Sequence, residues 1–158
     1  MNEVIEILNK LNIKFDIIYH PAVYTSEEAD FYVKDIKCSK AKNLFLSGKN
    51  DKNFYLFIIK DTKRLDIKKV SKLTQDRLHF ASENNLKEKM NLTPGMVSVF
   101  GLINNKEHDI KTYIDKELFD EELITFHPND NTATMLINTN DILKFLQEMN
   151  FNYEIINL

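Results

Sequence analysis

Two apolar segments, Asn43 to Leu46 and Phe54 to Ile59, flank a short polar cluster, Ser47 to Asp51. The serine, glycine, asparagine and aspartate residues of this cluster favour a turn. A connection this short cannot carry a crossover helix, so the two segments are predicted to form adjacent antiparallel strands. The chain is therefore not expected to fold as a purely parallel sheet of alternating strands and helices.

The hydrophobic pattern predicts the other elements. Residues 4–11 have the period of an amphipathic helix, and Thr25 followed by Glu28 is typical of a capping box that opens a second helix reaching Ile36. Further helices are predicted near residues 67–73, 86–90 and 139–149, and further strands at Phe15 to Tyr19, Met96 to Phe100, Ile110 to Ile114, Leu123 to Phe126, Ala133 to Ile137 and Tyr153 to Ile156. About six or seven strands with surrounding helices indicate an α+β fold with a mixed, largely antiparallel sheet.

Composition limits the architecture and the partners. The 158 residues include only three glycines and three prolines, too few for a flexible linker, so we expect one domain spanning residues 1–158. Lys and Arg total 21 against 24 Asp and Glu, a formal charge of -3, which disfavours the broad basic surface that binds DNA. A nucleic-acid partner would have to be held by a local patch.

The start of the sequence and its single cysteine predict a compartment. Residues 1–10 lack a basic start and an apolar block, and the longest apolar run, Phe54 to Ile59, is too short to cross a bilayer. Cys38 cannot form an internal disulfide, which suits a reducing environment. These features predict a cytoplasmic protein without a membrane partner.

Several common catalytic arrangements are missing. The glycines at positions 48, 95 and 101 are too scattered for a phosphate-binding loop, and the four histidines lack zinc-ligand spacing, so we expect neither a metal nor an organic cofactor. Three polar stretches remain at the ends of predicted strands: Lys42-Asn43, Gly101 to Asn104, and His127 to Thr132. Such loops can line a common cleft, although a solvated lysine or an ordinary turn is the commoner explanation of each stretch taken alone.

Five ordered segments carry a resemblance to a known family. They are His20 to Thr25 with Glu27 to Ala29, Ala41 to Leu46, Leu92 to Gly95, Phe100 to Asn104, and Phe126 to Thr134. With them the sequence resembles the YbaK/ProX family of trans-editing aminoacyl-tRNA deacylases. Within that family it is similar to the freestanding alanine-specific branch, which is ProX- or PrdX-like and related to the insertion domain of bacterial prolyl-tRNA synthetase.

The resemblance implies hydrolysis of the ester that joins alanine to tRNA for proline. Alanine is smaller than proline, so a synthetic site cannot easily exclude it, and a second site that excludes the larger amino acid supplies the selectivity. The implied partner is the acceptor end of the aminoacylated tRNA, with transient contact to prolyl-tRNA synthetase. Because the ester is already activated, a positioned water and stabilisation of developing negative charge suffice without a catalytic triad.

The resemblance also implies roles for individual residues. Lys42 is the essential residue, and its ammonium is expected to hold the ester carbonyl or the terminal phosphate. Asn43 is expected to hydrogen-bond the ribose or the aminoacyl group, and His127 to close the amino-acid pocket. Gly101 and Leu102 are expected to bring backbone N–H groups to the carbonyl. Weaker candidates for the apolar wall of the pocket are Val23, Tyr24 and Phe126.

Two other functions stay open at this point. One is the cysteine-specific branch of the same family, which deacylates cysteinyl-tRNA for proline. The other is a non-catalytic module that senses aminoacyl-tRNA or a free amino acid. The Lys42-Asn43 pair and the Phe126 to Thr134 segment fit the alanine branch better, and the presence of the lysine, glycine and histidine segments together favours turnover over sensing.

Overall fold

The computed structural model describes residues 1–158 and contains five α-helices and eight strands. The helices are α1 (Asn2–Lys10), α2 (Ser26–Phe31), α3 (Ile67–Thr74), α4 (Glu83–Met90) and α5 (Thr139–Glu148). The strands are β1 (Phe15–Tyr19), β2 (Ser39–Ser47), β3 (Phe54–Lys60), β4 (His79–Phe80), β5 (Ile110–Asp115), β6 (Leu123–Phe126), β7 (Ala133–Asn138) and β8 (Tyr153–Ile156). None of the helices is long and apolar enough to span a bilayer.

The strands form one mixed sheet in the order β1-β7-β6-β2-β3-β5-β8, with β4 beside β2. The α+β class and the mixed sheet are confirmed, but the expectation of a largely antiparallel sheet is wrong. Three of its pairings, β2 with β6, β3 with β5 and β5 with β8, are parallel. The short β2–β3 connection reveals an antiparallel pair in the sequence, whereas these parallel partners are far apart along the chain and leave no such local signal.

Apolar side chains cover both faces of the β2–β3 hairpin. Phe45 belongs to the larger buried cluster, which also contains Phe100 and Phe126. Its neighbour Leu46 belongs to a smaller cluster with Phe57 on the opposite face. Successive residues of β2 therefore face opposite layers, as expected for a strand buried on both sides. This double packing fixes the position of β2, the strand that carries Lys42.

Two local predictions differ from the structure, and one short strand was not predicted. The strand predicted at Met96 to Phe100 is wrong: a turn closed by the Met96 N–H and the Thr93 carbonyl leads into a 3-10 helix over Val99–Asn104. Thr25 caps α2 through the Glu28 N–H at 3.2 Å, as predicted, but the helix ends at Phe31 rather than at Ile36. The two-residue strand β4 has no periodicity and was not predicted.

Candidate functional site

One edge of β2 is only partly paired. On its other edge, β3 pairs with residues 41–47 without interruption. On the partly paired edge, β6 pairs with Ser39 and Lys40, and β4 pairs with Leu46 and Ser47. Residues 41–45 consequently have no strand beside them on this edge, and the sheet has an opening between β6 and β4.

A cavity of about 440 Å³ lies at this opening. Its wall includes all of residues 41–45, although alternate side chains of a strand point to opposite faces, so the backbone edge of β2 itself bounds the cavity. Six of the eight residues predicted for the site line it: Val23, Tyr24, Lys42, Asn43, Phe126 and His127. The structure thus brings together segments that are more than a hundred residues apart in the sequence.

Lys42 and Asn43, which both line the cavity, each carry an unpaired polar group. Lys42 is half-buried, and its ammonium forms none of the ion pairs or side-chain hydrogen bonds of the structure. The Oδ1 atom of Asn43 is buried and accepts no hydrogen bond. A buried acceptor without a donor costs free energy, so a ligand that donates to it would bind favourably.

His127 contributes a second unpaired acceptor. Its Nε2 lies 2.9 Å from the Val97 carbonyl, which can only accept, so Nε2 carries the proton. Nδ1 is then an acceptor, and it is buried without a partner. Burial of the imidazole lowers the pKa of His127 below its usual range and keeps the ring neutral. The residues that line the cavity therefore carry an unpaired cation and two unpaired acceptors.

Hydrogen bonds hold the segment around Val23 against the segment that follows His127. The Val23 N–H donates to the Asn131 carbonyl at 3.0 Å, and the Asn131 side chain donates back to the Val23 carbonyl at 3.1 Å. His20 is buried, and its Nε2 lies 2.9 Å from the Thr134 hydroxyl. These contacts hold the segment from His20 to Thr25 beside the segment from Phe126 to Thr134, so both segments reach the cavity.

The rim of the cavity carries two exposed aromatic rings. Tyr24 is 76% exposed and Phe80 is 58% exposed, and both line the cavity. Tyr24 was predicted as part of the apolar wall, and its exposure places it at the entrance instead. Phe80 was not predicted, because a single aromatic residue on the short strand β4 has no distinguishing pattern. The apolar surface away from the rim is supplied by Val23, which is half-buried, and by Phe126, which is buried.

An acidic pair beside the cavity was also missed. Asp30 lines the cavity, and burial of its carboxyl group, together with a hydrogen bond and the charge of Asp61, raises the pKa of Asp30 to about 7. Lys40 opposes this shift, and Glu27 adds to it. The Asp30 carboxyl group therefore keeps its proton up to near neutral pH. Isolated aspartates are common in any sequence, so only the folded chain reveals the pair.

Gly101 and Leu102 do not line the cavity, which corrects the expectation that their N–H groups reach a substrate. The Gly101 N–H already donates to the Ser98 carbonyl at 2.9 Å. Both residues are buried in the 3-10 helix, where a Cβ on Gly101 would lie 2.6 Å from Leu92 Cδ1 and 2.8 Å from Met90 Cε. Glycine is needed here for packing against the end of α4.

The cavity contains polar side chains suited to binding an ester, a cation or a phosphate, but no cluster of metal ligands. No group of three or more His, Cys, Asp and Glu side chains lies close enough together to bind a metal ion. The ionisable and polar groups available from the lining residues are an ammonium group, neutral acceptors and the carboxyl groups of Asp30 and Glu83.

Comparisons with known proteins agree on one family. A family model described as an aminoacyl-tRNA editing domain matches residues 20–145. The chain is 32% identical over 156 residues to the prolyl-tRNA editing protein ProX of Acetoanaerobium sticklandii, covering 98% of this chain and 95% of that protein. It is 34% identical over 149 residues to the prolyl-tRNA synthetase associated domain-containing protein 1 of Danio rerio, covering 92% and 80%.

A solved structure has the same fold. A crystal structure of a candidate trans-editing enzyme for prolyl tRNA synthetase superposes with a TM-score of 0.79 and 20% sequence identity, covering 99% of this chain and 94% of that one. At this identity the likeness concerns the fold alone.

Proposed function

Since the chain belongs to the aminoacyl-tRNA editing family and is therefore an aminoacyl-tRNA deacylase, we propose that it removes alanine from mischarged tRNA for proline. The observation that carries this proposal is that Lys42, with an unpaired ammonium, and Asn43 and His127, each with an unpaired acceptor, line the same cavity. Relatives named for prolyl-tRNA editing support tRNA for proline as the carrier.

The two acceptors suit the α-ammonium group of an aminoacyl ester. Asn43 Oδ1 and His127 Nδ1 each lack a donor, and an ammonium group supplies three. A protonated imidazole would repel the ammonium, so the lowered pKa of His127 favours binding. The methyl group of alanine contacts the apolar wall formed by Val23 and Phe126, and exclusion of the larger pyrrolidine ring protects correctly charged tRNA.

Lys42 anchors the substrate at its ester carbonyl or at its terminal phosphate. A water molecule attacks the carbonyl carbon, the bond to the ribose oxygen breaks, and that oxygen takes a proton while alanine leaves as the free acid. The 2′-hydroxyl of the substrate helps to orient the water. One well-placed donor to the developing negative charge contributes about a hundredfold to a thousandfold in rate.

The acceptor end of the tRNA enters past Tyr24 and Phe80. Exposed aromatic rings stack on unpaired bases irrespective of sequence, which suits the single-stranded end of a tRNA. We expect this encounter in the cytoplasm, with transient contact to prolyl-tRNA synthetase.

The test is a deacylation assay with tRNA for proline charged with alanine, cysteine or proline. We expect rapid release of alanine and retention of proline. Release of cysteine alone would replace the proposal with the cysteine-specific reaction, and tight binding of alanyl-tRNA without hydrolysis would replace it with a sensing function. Hydrolysis of prolyl-tRNA at the same rate would contradict the proposed steric exclusion.

A further inference from the structure

The alternation of backbone hydrogen bonds along β2 gives the direction of the Asn43 N–H. The Lys40 carbonyl accepts from the Asp61 N–H at 2.9 Å on the β3 side. The Phe45 carbonyl accepts from the Ala81 N–H at 3.0 Å on the β4 side. In an antiparallel pair the N–H and C=O of one residue point to the same edge, and the edge alternates from residue to residue. The Asn43 N–H therefore points to the open edge, where the cavity lies.

Strand β6 ends just before it would satisfy this group. The register of the parallel pair stops at Lys40 and Thr125. If the parallel pairing continued in the same register, the Asn43 N–H would donate to the His127 carbonyl, and the His127 N–H would donate to a carbonyl of β2. Neither bond forms, and the Ser98 hydroxyl donates to the His127 carbonyl instead at 2.8 Å. Two backbone donors are left without acceptors where β2 and β6 separate.

We propose that the N–H groups of Asn43 and His127 form the oxyanion hole of this deacylase. They take the place that Gly101 and Leu102 were expected to fill, and both residues line the cavity. Backbone donors at the divergence of two packed strands are held in position before the substrate arrives, which is the condition for effective stabilisation of developing charge. This inference rests on the proposed function and assigns the Lys42 ammonium to the phosphate.

In the proposed reaction, negative charge develops on the ester carbonyl oxygen that faces these two donors. When the water oxygen attacks the carbonyl carbon, the electron pair of the C=O double bond moves to the carbonyl oxygen, which then accepts from both N–H groups. When the pair returns, the bond to the ribose oxygen breaks, and the ribose oxygen takes the proton given up by the attacking water. The products are alanine and tRNA with a free terminal hydroxyl.

An amide-to-ester exchange at position 43 removes the N–H alone. The reference protein is Asn43→Ala. The altered protein carries lactic acid, the hydroxy-acid counterpart of alanine, at position 43, so the two proteins differ only in that an ester oxygen replaces the backbone N–H. We expect the lactic acid protein to have a kcat about 100-fold lower than Asn43→Ala. The matched control is the same exchange at Leu46, whose N–H points to β3; it lowers stability and leaves kcat within about threefold of the parent. Equal kcat for the two proteins altered at position 43 would overturn the assignment.

A second measurement does not depend on the altered protein folding. The unaltered, ¹⁵N-labelled protein is titrated with an adenosine that carries alanine through a stable 3′-amide. We expect the amide proton resonances of Asn43 and His127 to move downfield at saturation while that of Leu46 stays in place. Saturation without movement of either resonance would overturn the assignment. Failure of the unaltered protein to hydrolyse alanyl-tRNA would instead overturn the proposed function, and the titration would still decide on the two donors.

Discussion

Asn43 offers a ligand two different groups because of its place on β2. Its side chain lies on the face of the larger apolar cluster, between Ala41 and Phe45, while its backbone N–H lies in the plane of the sheet. A resemblance of sequence segments could predict Asn43, Lys42 and His127 as site residues. It could not predict which of their atoms lack partners, because that depends on where neighbouring strands end.

The raised pKa of Asp30 makes a measurable contribution to stability. The folded protein binds the carboxyl proton up to about pH 7, whereas the unfolded chain releases it near 3.8, so the contribution of Asp30 to the free energy of unfolding falls as pH rises between those values. Asp30→Asn removes the effect. Urea unfolding at pH 5, 6, 7 and 8 is expected to show wild type losing stability relative to Asp30→Asn up to about pH 7.

Asp130→Asn is the matched control for this pH series. Hydrogen bonds from Thr132 lower the pKa of Asp130, so its carboxylate is ionised in both the folded and the unfolded states above pH 5. The stability difference between wild type and Asp130→Asn should therefore be constant across the series. A constant difference for Asp30→Asn as well would contradict the raised pKa of Asp30.

At the scale of elements, the site exists because β2 continues beyond the point at which its pairing with β6 ends. The β2–β3 hairpin could be predicted from two apolar runs and a turn, and β3 has nearly its predicted bounds. Strand β2 begins four residues before the predicted Asn43, so Lys42 lies within the strand and not at its end. The opening beside the hairpin could not be predicted, because it depends on where β6 ends, and the His127 carbonyl just beyond β6 accepts from the Ser98 hydroxyl, which is 29 residues away in the sequence. The same segment shows why the strand predicted at Met96 to Phe100 is wrong: its apolar residues are buried by an irregular turn and a 3-10 helix.

The 3-10 helix over Val99–Asn104 packs on α4 through Gly101. We expect Gly101→Ala to lower the free energy of unfolding by about 1 to 3 kcal/mol, because the added methyl group overlaps the buried side chains of Met90 and Leu92. The kcat of the folded protein should be unchanged. Chemical denaturation and a deacylation assay on the same sample test this. Unchanged stability with a tenfold loss of kcat would restore Gly101 to the catalytic site.

Strand β4 presents Phe80 at the rim of the cavity. We expect Phe80→Ala to raise the KM for alanyl-tRNA about tenfold with little change in kcat, because loss of one base-stacking contact weakens binding of the acceptor end. Phe31→Ala is the control, since Phe31 is 59% exposed but does not line the cavity. Steady-state kinetics test the pair. An equal rise in KM for both variants would show that the effect is not local to the rim.

At the scale of the whole molecule, several of the cations near β2 are already paired with carboxylates and are not free for the tRNA. Lys37, Lys60 and Lys63 pair with carboxylates, and Lys63 in particular lies 2.7 Å from the buried Asp115. On or near β2, three cations form no ion pair: Lys40, Lys42 and Arg64. Together with the net charge of -3, this predicts weak binding that depends on a few phosphate contacts.

Salt dependence measures the number of those contacts. We expect log kcat/KM for alanyl-tRNA to fall with log salt concentration at a slope of about -2 to -3, which corresponds to about three phosphates. The ester of alanine with adenosine, which lacks the phosphates, should show almost no dependence. A flat profile for the tRNA substrate would contradict a phosphate contact by Lys40, Lys42 or Arg64.

The measurement that tests the central claim is the single-turnover rate constant for release of alanine from alanyl-tRNA for proline by wild type and Lys42→Met. Methionine keeps the apolar stem and removes the charge, so stability should be retained. Lys40→Met is the control, because Lys40 lies two residues earlier on β2 and does not line the cavity. We expect Lys42→Met to be at least about 100-fold slower, because loss of the phosphate anchor displaces the ester from its reactive position, and Lys40→Met to stay within a few-fold of wild type. A Lys42→Met rate constant equal to that of wild type would contradict the anchoring role of Lys42.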